Sequence, residues 1–422
     1  LLRFQPAAPR WTDYFLVGSG IYGTAVGFMA FFPVNYPGVY AAGLALPMAL
    51  GWKTAWNWIG EWYSQAAESE IRPLHSDLLD AAIAAVALIH FVVALMPEVG
   101  HDALATHLFV PSQLASRHQW GFDVATYVWA AMPMLGGWIY AVVYMLGGET
   151  SARLINVCFI LVLGWMVRDM VRHWGNGNKA GAALAVLLFL STPLTFTESS
   201  SLFIESVWGA FVVAGTVSVL RICSTEGDQA MTWPLAGLLF GFAAAAKAVT
   251  FMFLPGVLLI LTVRFNTWFK RNTAVSTLIG VGFFLLLGAW PYAVSWKLTG
   301  NPVFPFFNKI FQSPLWPVEN FTPSTFSKGL TWDVLYRVTF HTEEYLEGLA
   351  GAAGFQWLML LVPVSAAVLL TSNRRALALL LVGILSVILT FQSQNYLRYV
   401  FPACALLCAV VGIGISSGLP AN

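Results

Sequence analysis

Twelve apolar runs, each near the length of a bilayer crossing, recur from one end of this chain to the other. They fall at residues 14–33, 39–56, 78–97, 151–171, 180–194, 202–222, 233–247, 249–264, 275–296, 355–371, 376–392 and 399–418. About 20 apolar residues in a helix cross the hydrocarbon core, and a backbone in lipid must satisfy its hydrogen bonds internally. The expected fold class is therefore an all-α polytopic membrane protein of about 12 transmembrane helices. Composition agrees: 58% of the 422 residues are hydrophobic and 10% are charged, against roughly 25% charged in a soluble domain. The formal net charge of +1 offers no electrostatic ground for a nucleic-acid partner. Cys158, Cys223, Cys404 and Cys408 lie in or at the end of apolar runs, in neither a disulfide framework nor a zinc pattern. No cleavable signal peptide is evident, and the first helix is expected to direct insertion.

A further apolar run, 126–147, is interrupted by Pro133 and by the pairs Gly136-Gly137 and Gly147-Gly148. Short cytoplasmic loops are rich in Lys and Arg, and this bias decides how the run is placed. If it does not cross, and the N-terminus is inside, one side collects Arg3, Arg10, Lys53, Arg72, Arg168, Arg172, Lys179, Arg221, Arg264, Lys270, Arg271, Arg374 and Arg375. If it crosses, Arg168, Arg172 and Lys179 fall opposite Arg3 and Arg10. The run is therefore expected to lie in or dip into the outer leaflet. Two outer segments remain, 98–150 and 297–354, and both are expected to carry short interfacial helices. The expected organisation is an N-terminal transmembrane pair with a cytoplasmic loop (1–77), a transmembrane module containing the first outer segment (78–296), the second outer segment (297–354) and C-terminal transmembrane helices (355–422).

Four ionisable residues stand out at the outer ends of these runs. Asp102 follows the third crossing. A carboxylate there can accept a proton from a substrate hydroxyl, with His107 and His101 as candidate substrate contacts. The alternative is ordinary solvation. Lys247 sits between two apolar runs, where a lone cation is costly unless paired or solvated. It suits a phosphate group or, equally, snorkelling to the headgroups. Arg398, flanked by tyrosines, suits bidentate capture of phosphate or an interfacial anchor. Glu205 opens a crossing, where an acid is either functional or part of a helix cap with the preceding serines. His341, Glu343, Glu344 and Glu347 match no closed metal site and read as a solvated helix face. His90, within an apolar run, reads as a packed or hydrogen-bonded residue. No metal or other cofactor is expected.

Several stretches resemble the GT-C superfamily of polytopic glycosyltransferases, close to glycosyltransferase family 39 and the bacterial protein mannosyltransferase-like proteins. They are Asp102-Ala-Leu-Ala-Thr-His-Leu108, Gly148-Glu-Thr-Ser-Ala-Arg-Leu154, Gly241-Phe-Ala-Ala-Ala-Ala-Lys247, Gly300-Asn-Pro-Val-Phe-Pro-Phe-Phe-Asn308 and Arg398-Tyr-Val-Phe-Pro402. Together they span most of the chain, from about residue 78 to 418. The resemblance implies transfer of a sugar from a polyprenyl-phosphate carrier to an acceptor hydroxyl on a glycan, lipid or protein. It implies that the reaction takes place on the outer face of a membrane, the inner membrane of a bacterium. It maps the catalytic acid onto Asp102, donor-phosphate contacts onto Lys247 and Arg398, and a second acid onto Glu205, where relatives often carry Asp. The Asp-Glu pair of protein mannosyltransferases is absent, because Ala103 follows Asp102. Residues 14–56 lie outside the resembling region. A lipid or oligosaccharide transporter, using the same charges as a substrate path, is the alternative.

Overall fold

The apolar runs fold into helices throughout, and no strand occurs among the described residues. The computed structural model describes residues 10–67, 74–224, 229–268, 273–321, 327–345, 351, 353–371 and 373–418. Arg3, Arg72, Lys270, Arg271 and Glu347 lie outside the described residues. In chain order the helices are α1 (Trp11–Met29), α2 (Pro37–Ala67), α3 (Leu74–Ala94), α4 (Phe109–Arg117), α5 (Leu135–Trp174), α6 (Lys179–Ser191), α7 (Pro193–Ser200), α8 (Glu205–Ser224), α9 (Gln229–Ala246), α10 (Leu254–Val263), α11 (Phe265–Trp268), α12 (Ala274–Thr299), α13 (Asn308–Phe311), α14 (Val334–Phe340), α15 (Val362–Thr371), α16 (Arg374–Ser393) and α17 (Phe401–Gly418). A π-helical turn covers Ala103–His107, and 3₁₀ turns cover Ala248–Met252 and Leu397–Val400.

Among the described residues, five helices are long and apolar enough to cross a membrane alone: α5, α8, α12, α16 and Leu397–Ser416. A sixth span forms if α6 and α7, bent by 56° at Thr192, count as one. These helices make the chain an integral membrane protein. Other runs form shorter apolar helices, Leu78–Ala94, Met231–Ala246, Ala248–Val263 and Trp357–Leu370. The difference from twelve runs has local causes. Lys247 takes an extended backbone between α9 and the 3₁₀ turn, and Pro193 starts a new helix after Thr192. The segment 135–174, expected as a dipping run followed by a separate crossing, is helical on both sides of a break at Gly148. Gly148 has φ +69° and ψ −158°, a conformation open to glycine and strained for other residues. Across this break the Tyr140 hydroxyl donates to Asn156 Oδ1 at 3.0 Å, so the two halves pack on each other.

Helix α8 runs through the middle of the bundle, with 94% of its span buried inside the protein. Its hydroxyls are satisfied within the helix: Thr216 donates to the Val212 carbonyl and Ser218 to the Ala214 carbonyl. Contacts between helix ends define a basic end of the bundle opposite Glu205. There Arg10 pairs with Asp169 and Arg221 with Asp13, each at 3.6 Å. Asn373 Nδ2 donates to the Trp174 carbonyl, and Arg264 donates to the Cys223 carbonyl.

Helices α9 and α12 touch backbone to backbone. A Cβ at Gly237 would stand 1.9 Å from the Gly280 carbonyl oxygen, and one at Gly280 would stand 2.4 Å from the Trp233 carbonyl oxygen. Small residues permit this approach, which drives helix association where lipid removes the hydrophobic incentive. Gly237→Leu is expected to force these helices apart, at a cost of about 1–3 kcal/mol or more. Gly282→Leu on the open face of α12, with nothing within 4 Å, is the matched control. Tryptophan-fluorescence melts of both variants in detergent check this, with a lowered unfolding temperature expected only for Gly237→Leu.

Candidate active site

The site is organised around a buried, ion-paired carboxylate. Glu98 ends the extended stretch after α3, and its side chain is fully buried. It accepts hydrogen bonds from Arg153 Nη1 (2.8 Å), the backbone N–H groups of Val99 (3.0 Å), Gly100 (2.8 Å) and Leu202 (2.6 Å), and the Ser201 hydroxyl (3.0 Å). The Arg153 side chain, 2% exposed, donates in turn to the carbonyls of Ala94, Val93 and Ser200. The Glu149 carboxylate accepts from the Glu98 N–H at 2.6 Å. Gly100 permits the close fit, since a Cβ there would sit 2.1 Å from Ser201 Oγ. A buried ion pair repays its desolvation only when its remaining donors and acceptors are satisfied, as they are here. The pair fixes the chain just before Asp102 against the chain just before Glu205.

Four charges then meet. Asp102 Oδ2 lies 2.5 Å from Arg398 Nη2. The Lys247 ammonium donates to Glu205 Oε1, and Arg398 Nε lies 3.6 Å from the same oxygen. Glu205 is fully buried at the first position of α8, and its Oε2 accepts no hydrogen bond among the described residues. Burial would raise the Asp102 pKa, but the Arg398 guanidinium, with help from His107 and Lys247, outweighs it and holds the carboxyl below its usual range.

Aromatic rings position both cations. Lys247 Nζ sits 4.0 Å from the Tyr399 ring centre and 5.8 Å from that of Trp208. Trp208 Nε1 donates to the Thr250 hydroxyl, which donates to the Lys247 carbonyl, so the cation's backbone is held from beneath. The Arg398 guanidinium lies over Tyr396, Phe203 and Tyr399 at 4.9, 5.0 and 5.7 Å. Its 3₁₀ turn is tied to the segment 327–345, where the Leu397 N–H donates to the Tyr345 carbonyl.

Asp102, Lys247, Arg398, Tyr396 and Tyr399 line a cavity of about 330 Å³ with His101, His107, Gln394, Phe306 and Phe321, while the buried Glu205 stands behind its wall. His107 is half-buried, and burial pushes its pKa down to about 4. Its imidazole is therefore neutral at pH 7. The His101 side chain is exposed at the rim, with Nδ1 3.8 Å from Asp102 Oδ1. The structure thus brings Asp102, Lys247, Arg398, His101 and His107 to one cavity, with Glu205 paired to both cations from behind its wall. Lys247 is ion-paired rather than snorkelling. The His341 region is an ion-pair cluster, in which Glu344 pairs with Arg337 and with Lys328. His90 is packed in the core, with its ring nitrogens at the Ser199 hydroxyl and the Leu190 carbonyl. Residue-by-residue reading gives no role to Glu98 or Arg153. Their signal is an acid and an arginine at the edges of apolar runs.

The fold and part of the sequence are similar to those of known membrane proteins. Residues 131–292 match the family model for dolichyl-phosphate-mannose-protein mannosyltransferase, a stretch that contains Glu205 and Lys247. The structure is similar to crystal structures of ArnT from Cupriavidus metallidurans bound to undecaprenyl phosphate (TM-score 0.59, 18% identity) and in the apo state (0.58, 19%). Each likeness covers 79% of this chain but only 59% and 58% of those chains, so this chain spans less than two thirds of their length. Comparison with curated proteins gives no match. The chain thus resembles the GT-C glycosyltransferases in sequence across the matched stretch and in fold across most of its length.

Two outcomes follow from this geometry. Arg153→Met leaves Glu98 buried and unpaired, which costs about 3–5 kcal/mol; thermal unfolding should fall sharply, and Glu98→Gln combined with it should recover part of the loss. For His107 the folded ring resists protonation until about pH 4, while the unfolded ring binds a proton near its ordinary value of 6.5. Stability should therefore decline as pH falls through that window. Unfolding midpoints measured at steps from pH 7 to 4 should show a shallower decline in His107→Gln than in wild type.

Proposed function

We propose that this protein is a glycosyltransferase that moves a sugar from a polyprenyl-phosphate carrier to an acceptor hydroxyl, with inversion at the anomeric carbon. In this reading the cavity faces the exterior of a bacterial inner membrane, and the segments 98–150 and 297–354 shape it with short interfacial helices. The observation that carries the reading is the meeting of Asp102, Lys247 and Arg398 in one cavity, with Glu205 ion-paired to both cations behind its wall. The crystal structure of ArnT with undecaprenyl phosphate supports it, because this reading makes a lipid phosphate of that kind the leaving group.

The four groups balance one another's charge. A donor phosphate adds negative charge and competes with Asp102 and Glu205 for Arg398 and Lys247. Once Arg398 turns to phosphate, Asp102 loses the partner that holds its pKa down, and its proton affinity rises. Asp102 then takes the proton of the acceptor hydroxyl as the hydroxyl oxygen bonds to the anomeric carbon. The bond from that carbon to the phosphate oxygen breaks, and its electron pair leaves on polyprenyl phosphate, stabilised by Lys247 and Arg398. Glu205, buried behind the cavity wall, holds the two cations at their working separation. His107, neutral, and His101 at the rim contact the sugar or the acceptor, which is a glycan, a lipid or a protein. A transporter would place its charges along a path near the bilayer midplane; here they gather at one end of the bundle.

The test is release of polyprenyl phosphate from synthetic radiolabelled polyprenyl-phosphate sugars by purified protein in lipid. Asp102→Asn should lower kcat roughly 10²–10⁴-fold, the usual worth of a general base, while the melting temperature stays near wild type and donor affinity is retained or raised, because the competitor for Arg398 has lost its charge. Full turnover in that variant would remove Asp102 from the reaction.

A further inference from the structure

The end of the bundle opposite the active site holds a second cavity, of about 410 Å³. It forms where α5, α8 and α10 finish and α16 begins, and Trp174, Cys223, Arg264, Asn373, Arg374 and Arg375 line it. No acidic side chain among the described residues lines it. Asp13 and Asp169, at this end, pair with Arg221 and Arg10. Three guanidinium groups share one cavity.

Positive-inside bias accounts for arginines at this end but not for how they are held. Arg374 and Arg375 occupy the first two positions of α16, the positive end of its dipole, where cations are disfavoured unless an anion joins them. Asn373 caps this helix end, accepting from the N–H groups of Arg375 and Ala376 at 3.2 Å and donating to the Trp174 carbonyl at 3.2 Å. Arg264 is anchored at the Cys223 carbonyl, 3.2 Å from Nη2. Trp174 is 4% exposed, and its indole N–H has no hydrogen-bond partner among the described residues. A buried donor without an acceptor costs about 1–3 kcal/mol, and an anion in the cavity is the kind of group that would supply one.

We propose that this cavity binds a phosphate-ester anion, held by Arg264, Arg374 and Arg375 with the Trp174 indole N–H as a neutral donor. Arginine forks match phosphate oxygens two at a time. The cavity sits where apolar helices end, and the 20-residue α8 places it a membrane thickness, about 30 Å, from Glu205. That is the level of a phospholipid headgroup, and a soluble phosphate compound offers the same chemistry. The proposal does not depend on the transfer reaction.

Native mass spectrometry of the full chain, released from micelles doped with phosphatidylglycerol or phosphatidylcholine, tests it. Saturable phosphatidylglycerol binding is expected, weakened roughly tenfold in R374Q/R375Q and unchanged in Lys247→Ala, which alters only the other site. The R374K/R375K variant keeps membrane orientation and net charge but loses the forks, and should bind severalfold more weakly than wild type. Competition by inorganic phosphate would assign the site to a soluble anion; resistance to it would assign the site to the lipid headgroup. Equal retention of phosphatidylcholine, undiminished binding in both double variants, or loss of binding in Lys247→Ala would overturn the proposal.

Discussion

The pairing of Glu98 with Arg153, both shut away from water, is the constraint on which the charged cavity of this protein rests. Removing two charges from water is expensive, and the attraction between them repays it only with near-complete hydrogen bonding. The chain meets that condition by drawing donors from three separated stretches, residues 99–100, 153 and 201–202. The result is a geometric tie rather than a simple gain in stability. Asp102 stands four residues beyond one tied point and Glu205 three residues beyond another. Their approach is therefore set by the backbone before either meets a cation.

The bundle around this tie is built for close backbone approach. Gly237 and Gly280 let α9 and α12 touch, which aligns the end of α9 and so the position of Lys247. The central placement of α8 buries Glu205 at its head, within reach of both cations. Arg398 reaches the same point from a turn pinned to Tyr345. Rigid helices thus deliver the charged groups, and the aromatic rings of Tyr396, Tyr399 and Trp208 limit where the cations swing.

Much of the candidate site is legible in the chain because its charges are conspicuous. Lys247, Arg398 and Glu205 each interrupt apolar surroundings, where an ionisable group needs a reason to be present. Their partners are not legible. Whether Lys247 meets a headgroup or Glu205 depends on how α9 packs against α8, which a run of alanines does not reveal. Glu98 and Arg153 are hidden for a different reason. Each lies at the edge of an apolar run and reads there as an ordinary boundary residue, and only the fold brings positions 98, 153 and 202 together. The all-helical class follows directly from the apolar runs. The division into spans is harder, because Pro193 starts a new helix inside an apolar run, and the breaks at Lys247 and Gly148, though marked in the sequence, do not reveal how the helices on either side pack.

A site whose charges already cancel is also a filter. A chloride or bicarbonate ion that enters must displace a carboxylate fixed to the same scaffold, and a tethered competitor acts at high effective concentration. Small anions bring nothing to offset that displacement. A phosphate carried on a long apolar chain does, because the tail lowers its free energy elsewhere in the membrane. Selection among anions would then reside in the part of the ligand that the charged groups never touch.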